Sequence, residues 1–175
     1  NGGIGTVTGI FLRGGRSAQA LVLIDGIRVE DAGFGAAAFQ HIMLGEVERV
    51  EIVRGNVSSL YGSSAVGGVI QVFTKRGRGT PAPSFEATLG SRGTAKLRAG
   101  YGGQIGDTRF NLTVSQFDTN GFSAINPSLA PNANPDRDGY RNTSLAGSLS
   151  HRFSPQHEAG ATVFSTRGRV DFDSA

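Results

Sequence analysis

Cysteine is absent from the 175 residues of this chain. That excludes a disulfide framework and any thiolate-held metal, but it does not fix the compartment. No run of 18 apolar residues occurs, so the sequence contains no candidate transmembrane helix. No signal-peptide pattern is read at Asn1. Apolar content, at 38%, is lean for a globular core. Massed charge of one sign is also missing: the net charge is +3, the pI is near 9.8, and the basic residues are scattered. Nucleic acid is therefore not expected as a partner, while contact with an anionic surface remains open.

Catalytic signatures are lacking as well. His41, His151 and His157 fall in unrelated segments with no nucleophile arrangement around them. No GxxxxGK[ST] or strand-following GxGxxG occurs, so no nucleotide cradle is expected. The chain is not read as an enzyme. Asn111-Leu-Thr and Asn142-Thr-Ser fit glycosylation acceptors but carry no weight by themselves.

What is abundant is glycine: its 27 residues are roughly twice the usual share, pointing to turns, close backbone approaches and strands. The most telling stretch runs from Val47 to Gly77. It reads as strand, glycine break, a short polar turn of helix, Gly67-Gly68, and a second strand ending in basic residues. Its twenty uncharged residues from Gly55 to Thr74 include four glycines, four serines, Asn56 and Gln71. That is too polar for hydrocarbon.

Two halves divide near Gly77 to Pro83. In the first, Ile10 to Leu12 is a brief apolar run closed by Arg13-Gly14. Leu21 to Ile24 is a continuous apolar strand, buried on both faces. Asp25-Gly26 supplies a hairpin turn, and Ile27 to Glu30 returns. Phe39 to Leu44 predicts a short helical turn stopped by Gly45. Val47, Val50 and Ile52 begin another strand with Arg49 and Glu51 on one face. This half is expected to be a small α+β domain whose charged strand face lies against a polar surface.

The second half alternates with period 2. Phe85, Ala87 and Leu89 are followed by Ala95 to Tyr101, Phe110 to Val114, Leu145 to Phe153, and Ala159 to Val163. Each run has one apolar face and one polar face. The connections Gly90–Gly93, Gly102–Thr108 and Ser154–His157 are short, and Gly121–Tyr140 is long. About five such strands fit the start of a transmembrane β-barrel, polar inside and apolar outside. A soluble β-sandwich also alternates. The Lys96 and Arg98 face favours a wet lumen, because buried unpaired cations are costly. Closure needs at least about 8 strands, so more are expected downstream.

These pieces resemble the TonB-dependent outer-membrane receptors. The likeness rests on NGGIGTVTGIFLRG (Asn1 to Gly14), LVLIDGIRV (Leu21 to Val29) and the segment from Val47 to Gly77. It implies a plug domain over residues 1–77, a linker over 78–83, and over 84–175 the first strands of a plugged barrel of roughly 22 strands. The chain would then be an internal piece of a longer bacterial outer-membrane transporter. Its partners would be the energy-coupling TonB protein, through a box upstream of Asn1, and the outer-membrane lipid. Within the family, the opening NGGIG, the short first outer loop and Asn134 to Phe153 look most like the cobalamin (vitamin B12) transporters. Uptake of cobalamin or a related corrinoid is the expected function. A ferric-siderophore receptor is the alternative, and a non-transporting surface β-protein is the rival of another class.

The resemblance also carries residues over. Val7, Gly9, Arg16, Gly33 and Phe34 would touch substrate, with Gly9 and Arg16 replacing the Ser and Asn of better-known members. Arg13, Arg49, Glu51 and Arg54 are candidate plug–barrel charge contacts, or else ordinary solvated strand charges. Asn134, Asp136 and Asp138, alternating ahead of Gly139, suit oxygen ligation of Ca²⁺, or simply an Asx turn. The resemblance adds Asp173 as a further ligand, while Ser123 stands where an aspartate is expected.

Overall fold

The computed structural model describes residues 3–12, 14–30, 35–123 and 136–171. The chain divides into two compact units, Val7–Lys75 and Arg76–Ala175, the latter including Asn1–Thr6.

The unit Val7–Lys75 is built on a four-stranded sheet in the order β2-β1-β4-β3. The strands are β1 (Ala20–Ile24), β2 (Ile27–Arg28), β3 (Val47–Arg54) and β4 (Gly68–Thr74). β1 and β4 are central and parallel, while β2 and β3 are antiparallel edges. Their position explains their composition. All five residues of β1 are buried, which only an uninterrupted apolar run such as ALVLI tolerates. One face packs as a small core of Leu21, Leu23, Ala65 and Val69, with Val57 against it. Each such aliphatic side chain contributes about 1.5–3 kcal/mol when fully buried.

The hairpin between β1 and β2 turns at Asp25 and Gly26, with φ of 49° and 86°. Both lie in the left-handed region that Asp and Gly tolerate. Asp25 then reaches across the sheet. Its carboxylate accepts bonds from the Thr74 amide (3.0 Å) and the Thr74 hydroxyl (2.5 Å), fixing the end of β4 to the turn. The uncharged segment contains the single-turn helix α1 (Ser58–Tyr61), started by Asn56, whose Oδ1 accepts from the Ser58 amide at 3.1 Å. Gly68, at φ 146°, lets β4 begin against β3: a Cβ there would stand 2.4 Å from the Val53 carbonyl oxygen.

The second unit is a five-stranded antiparallel meander in chain order: β5 (Ala82–Gly90), β6 (Thr94–Ile105), β7 (Thr108–Thr119), β8 (Tyr140–Ser154) and β9 (His157–Val170). The register sorts its side chains into two faces. Phe85, Ala99, Val114 and Leu145 share one row, and Tyr101, Leu112, Gly147 and Val163 the next row of that face. On the opposite face Glu86, Arg98, Ser115, Ser144 and Thr166 stand in line. The apolar face is exposed, with Phe85 at 76% and Leu89 at 86%. The polar face is the buried one: Asn142 is at 0%, Ser144 at 1% and Ser115 at 3%. A water-soluble sandwich has the reverse arrangement.

Several local expectations change. The brief apolar run Ile10–Leu12 lies outside the sheet, and the Ile10 amide donates to Ser17 Oγ (3.1 Å). The turn expected over Phe39 to Leu44 is two 3-10 turns, Phe39–His41 and Leu44–Glu46, and Gly45 lies inside the second rather than ending it. The return strand stops at Arg28, where Arg28 pairs with Glu30. β6 runs on to Ile105, leaving Gly106-Asp107 as the turn. Its Gly102 and Gly103 belong to the strand: a Cβ on Gly103 would meet Pro81 Cα at 2.4 Å. The linker backbone therefore crosses β6 where side chains are missing.

Candidate functional site

The loop leading into β1 holds three of the expected substrate contacts. Val7 is 81% exposed, and Gly9 and Arg16 are also exposed. Two hydrogen bonds shape it. Thr8 N–H donates to Gln40 Oε1 (3.4 Å) and Ile10 N–H to Ser17 Oγ (3.1 Å). Gly9 is thereby brought beside the Arg16–Ser17 step, where a Cβ on it would stand 3.9 Å from Ser17 Cβ and 3.1 Å from the Phe11 ring. Arg16 opens the 3-10 turn Ser17–Gln19, its amide donating to Gln19 Oε1 at 2.8 Å. Gly33 and Phe34 lie outside the described residues.

Sequence reading missed two members of this surface. Phe11 presents a ring that is 72% exposed, and Gln40 ties the loop from a distant turn. An exposed Phe in a glycine-rich loop was a usable signal; the Gln40 contact, 32 residues away, was not. Beside Gln40, partial burial holds the His41 imidazole below its ordinary value.

The residues expected as charge contacts are placed within the unit Val7–Lys75 as follows. Arg49 and Glu51 pair with each other at 2.7 Å, and the Arg49 guanidinium stacks 3.7 Å above the Phe73 ring. Arg54 ends β3 in an exposed position. Arg13 lies outside the described residues. Of the expected Ca²⁺ ligands, Asp136 is exposed and Asp138 is buried at 5%, whereas Asn134 and Asp173 lie outside the described residues. Ser123 is half-buried. Among the described residues no three His, Cys, Asp or Glu side chains gather to hold a metal.

The polar face of the meander is a connected hydrogen-bonding surface. Lys96 Nζ and Arg98 Nη2 both reach the Glu86 carboxylate, at 2.7 and 2.9 Å. The cations that favoured a wet lumen are thus paired. The partner was legible only once Glu86 was known to lie opposite Arg98. Beyond them, Asn142 Nδ2 donates to the Tyr140 hydroxyl (2.9 Å) and to Thr166 Oγ1 (3.1 Å), and Ser144 Oγ donates to Asn142 Oδ1 (2.8 Å). Among the described residues, no helix is long and apolar enough to cross a membrane, a statement that does not bear on strands.

Comparison with known proteins fits both units. Residues 1–69 match the family described as TonB-dependent Receptor Plug Domain. The siderophore receptor PirA from Acinetobacter baumannii superposes with a TM-score of 0.70 at 22% identity, over 90% of this chain and 25% of its own. PirA from Pseudomonas aeruginosa is 27% identical, with a TM-score of 0.60, over 91% and 29%. The pyoverdine receptor FpvA from P. aeruginosa PAO1 gives 0.72 at 16% identity, over 93% and 22%. The chain spans about a quarter of the length of these structures. Two are named as siderophore receptors and the third for pyoverdine, and they lend no support to the cobalamin likeness. Residues 1–69 thus match the plug-domain family of the TonB-dependent receptors, and the plug unit and the antiparallel strands that follow share the fold of those solved receptors.

Proposed function

We propose that this chain belongs to a receptor that takes up ferric siderophores across the outer membrane, driven by TonB. The carrying observation is the joint occurrence of the plug-domain match with a fold shared by receptors named for siderophores. The physical chemistry agrees. The outer membrane has no ATP, so a scarce solute too large for porins needs work delivered from elsewhere. The plug unit is suited to receive it: its core centres on four small or aliphatic residues, and units of this size are marginally stable. A modest pull can remodel such a unit. The exposed loop at Val7, Gly9, Phe11 and Arg16 is the surface we assign to substrate, with Arg16 supplying positive charge to an anionic chelate.

Corrinoid uptake is the second reading, carried by the NGGIG opening and the Asn134 to Phe153 segment. Ca²⁺ is proposed only with that reading, as an ion held by Asp136 and Asp138 together with Asn134 and Asp173. Calorimetric titration of the full-length protein with ferric siderophores and with cyanocobalamin, each with and without Ca²⁺, separates the readings. Micromolar binding of a ferric siderophore without corrinoid binding is expected. Binding of cyanocobalamin alone would replace the first reading with the second.

A further inference from the structure

We infer that Ser17 and Gln19 are positioning residues for the substrate: they hold the Ile10–Arg16 loop in the conformation that displays Phe11 and Arg16. The inference rests on the substrate surface assigned above. It adds two residues that act through their neighbours and not by touching the ligand.

A loop of this composition does not order itself. Gly14 and Gly15 are adjacent, and Gly14 is exposed at φ 74°, with nothing within 4 Å of where a Cβ would stand. Glycine loses more conformational freedom on ordering than any other residue. A ligand that had to fix such a loop would lose affinity in doing so.

Four hydrogen bonds fix it instead. The Leu12 carbonyl accepts the Gly15 amide at 2.9 Å, which tightens the tip. Ser17 Oγ accepts the Ile10 amide at 3.1 Å and closes the base across seven residues. Gln19 Oε1 accepts the Arg16 amide at 2.8 Å, and the Arg16 carbonyl accepts the Gln19 amide at 2.9 Å. That last pair sets the backbone from which the Arg16 side chain projects.

Gln19 is also the joint with the sheet. Its carbonyl accepts the Gly67 amide at 3.0 Å, one residue before β4, and its own chain runs straight into the buried β1. The fit is close on both sides. A Cβ on Gly67 would stand 3.1 Å from the Gln19 carbonyl oxygen, and one on Gly15 would stand 3.0 Å from Gln19 Oε1. Leu12 turns toward the sheet, its Cδ1 3.1 Å from where a Cβ on Gly68 would lie, while Phe11 and Arg16 are exposed. The two central strands therefore hold the turn, and the turn holds the residues that meet the ligand. Neither Ser17 nor Gln19 belongs to the hydrophobic core of the unit.

Side-chain changes isolate this role, because the bond to Gly67 uses the Gln19 backbone and survives them. The measurement is calorimetric titration of the full-length protein in detergent with ferric enterobactin, ferripyoverdine and cyanocobalamin as probes. For the probe that the unmodified protein binds, Gln19→Met and Ser17→Ala should each weaken binding about tenfold, the weight of one net hydrogen bond. Ser17→Thr keeps the oxygen and should restore most of the affinity. The effect must also pass through the positioned residue: in an Arg16→Ala background, Gln19→Met should cost little more. Asp25→Ala loosens the same unit at the other end of β1 and should bind as the unmodified protein does. Additive losses from Arg16→Ala and Gln19→Met would overturn the assignment. So would an equal loss in Asp25→Ala, or unaltered binding in both Ser17→Ala and Gln19→Met. Failure of the unmodified protein to bind any of the three probes would remove the substrate surface and these roles together.

Discussion

Glu86 stands directly across from Arg98 on the neighbouring strand and accepts its Nε–H at 3.0 Å, while Lys96 reaches the same carboxylate. One acid thus balances two cations on the buried side of the sheet. Glu86→Gln removes that balance and leaves two positive charges with a neutral acceptor. A lower temperature for heat-modifiable unfolding of the full-length protein is expected. Much of the loss should return when Lys96→Met is added, because the repulsion then disappears.

The two faces of the meander should answer oppositely to charge. Leu112→Arg places a cation on the apolar exposed face and should cost about 2–4 kcal/mol if that row lies near the bilayer midplane. Reduced assembly into the outer membrane, read by the folded fraction in unheated gels, checks it. Thr113→Arg, one residue along on the polar face, should assemble better than Leu112→Arg. Equal damage from both would contradict a lipid-facing wall.

Gly5 is held against Tyr140 so closely that a Cβ would fall 2.2 Å from the ring, and its φ of 90° already disfavours a side chain. Gly5→Ala should therefore release the Asn1–Thr6 segment at a cost of about 1–3 kcal/mol. Faster proteolytic cleavage near Thr6 would report the release. Adding Tyr140→Ala should recover only the steric part.

Asp25→Ala loses both bonds to Thr74 and puts alanine at positive φ. Destabilisation of about 1–3 kcal/mol is expected for the plug unit. Hydrogen exchange at the Thr74 amide should speed up first, since that amide loses its acceptor.

His41 gives the plug unit a pH dependence. Its folded value lies below the ordinary 6.5, so the unfolded chain binds the proton more readily. Its contribution is fully present above 6.5 and is lost as pH falls through the depressed folded value. Amide exchange in Val7–Lys75 should quicken on acidification from neutral pH, and His41→Gln should flatten that response.

Much of the architecture was legible because periodicity reports burial directly. The ALVLI run identified a central strand, Asp25-Gly26 identified its turn, and the alternation from Phe85 onward identified the meander with its faces. Less was legible where long-range contact overrides local pattern. The Ile10 amide finds Ser17, and Gly102-Gly103 continue β6 by pairing with Asn111 and Phe110 of β7. The site suffered most. Gln40 joins Thr8 across 32 residues, and no spacing rule announces such a bond.

The two sheets also differ in when they can form. Every hydrogen-bonded neighbour in the meander is also the next strand in the chain, so it can grow hairpin by hairpin as each segment is delivered. β1 has that option only with the short β2. Its parallel companion arrives more than forty residues later, so the sheet around it completes only after that whole intervening stretch has been threaded into place.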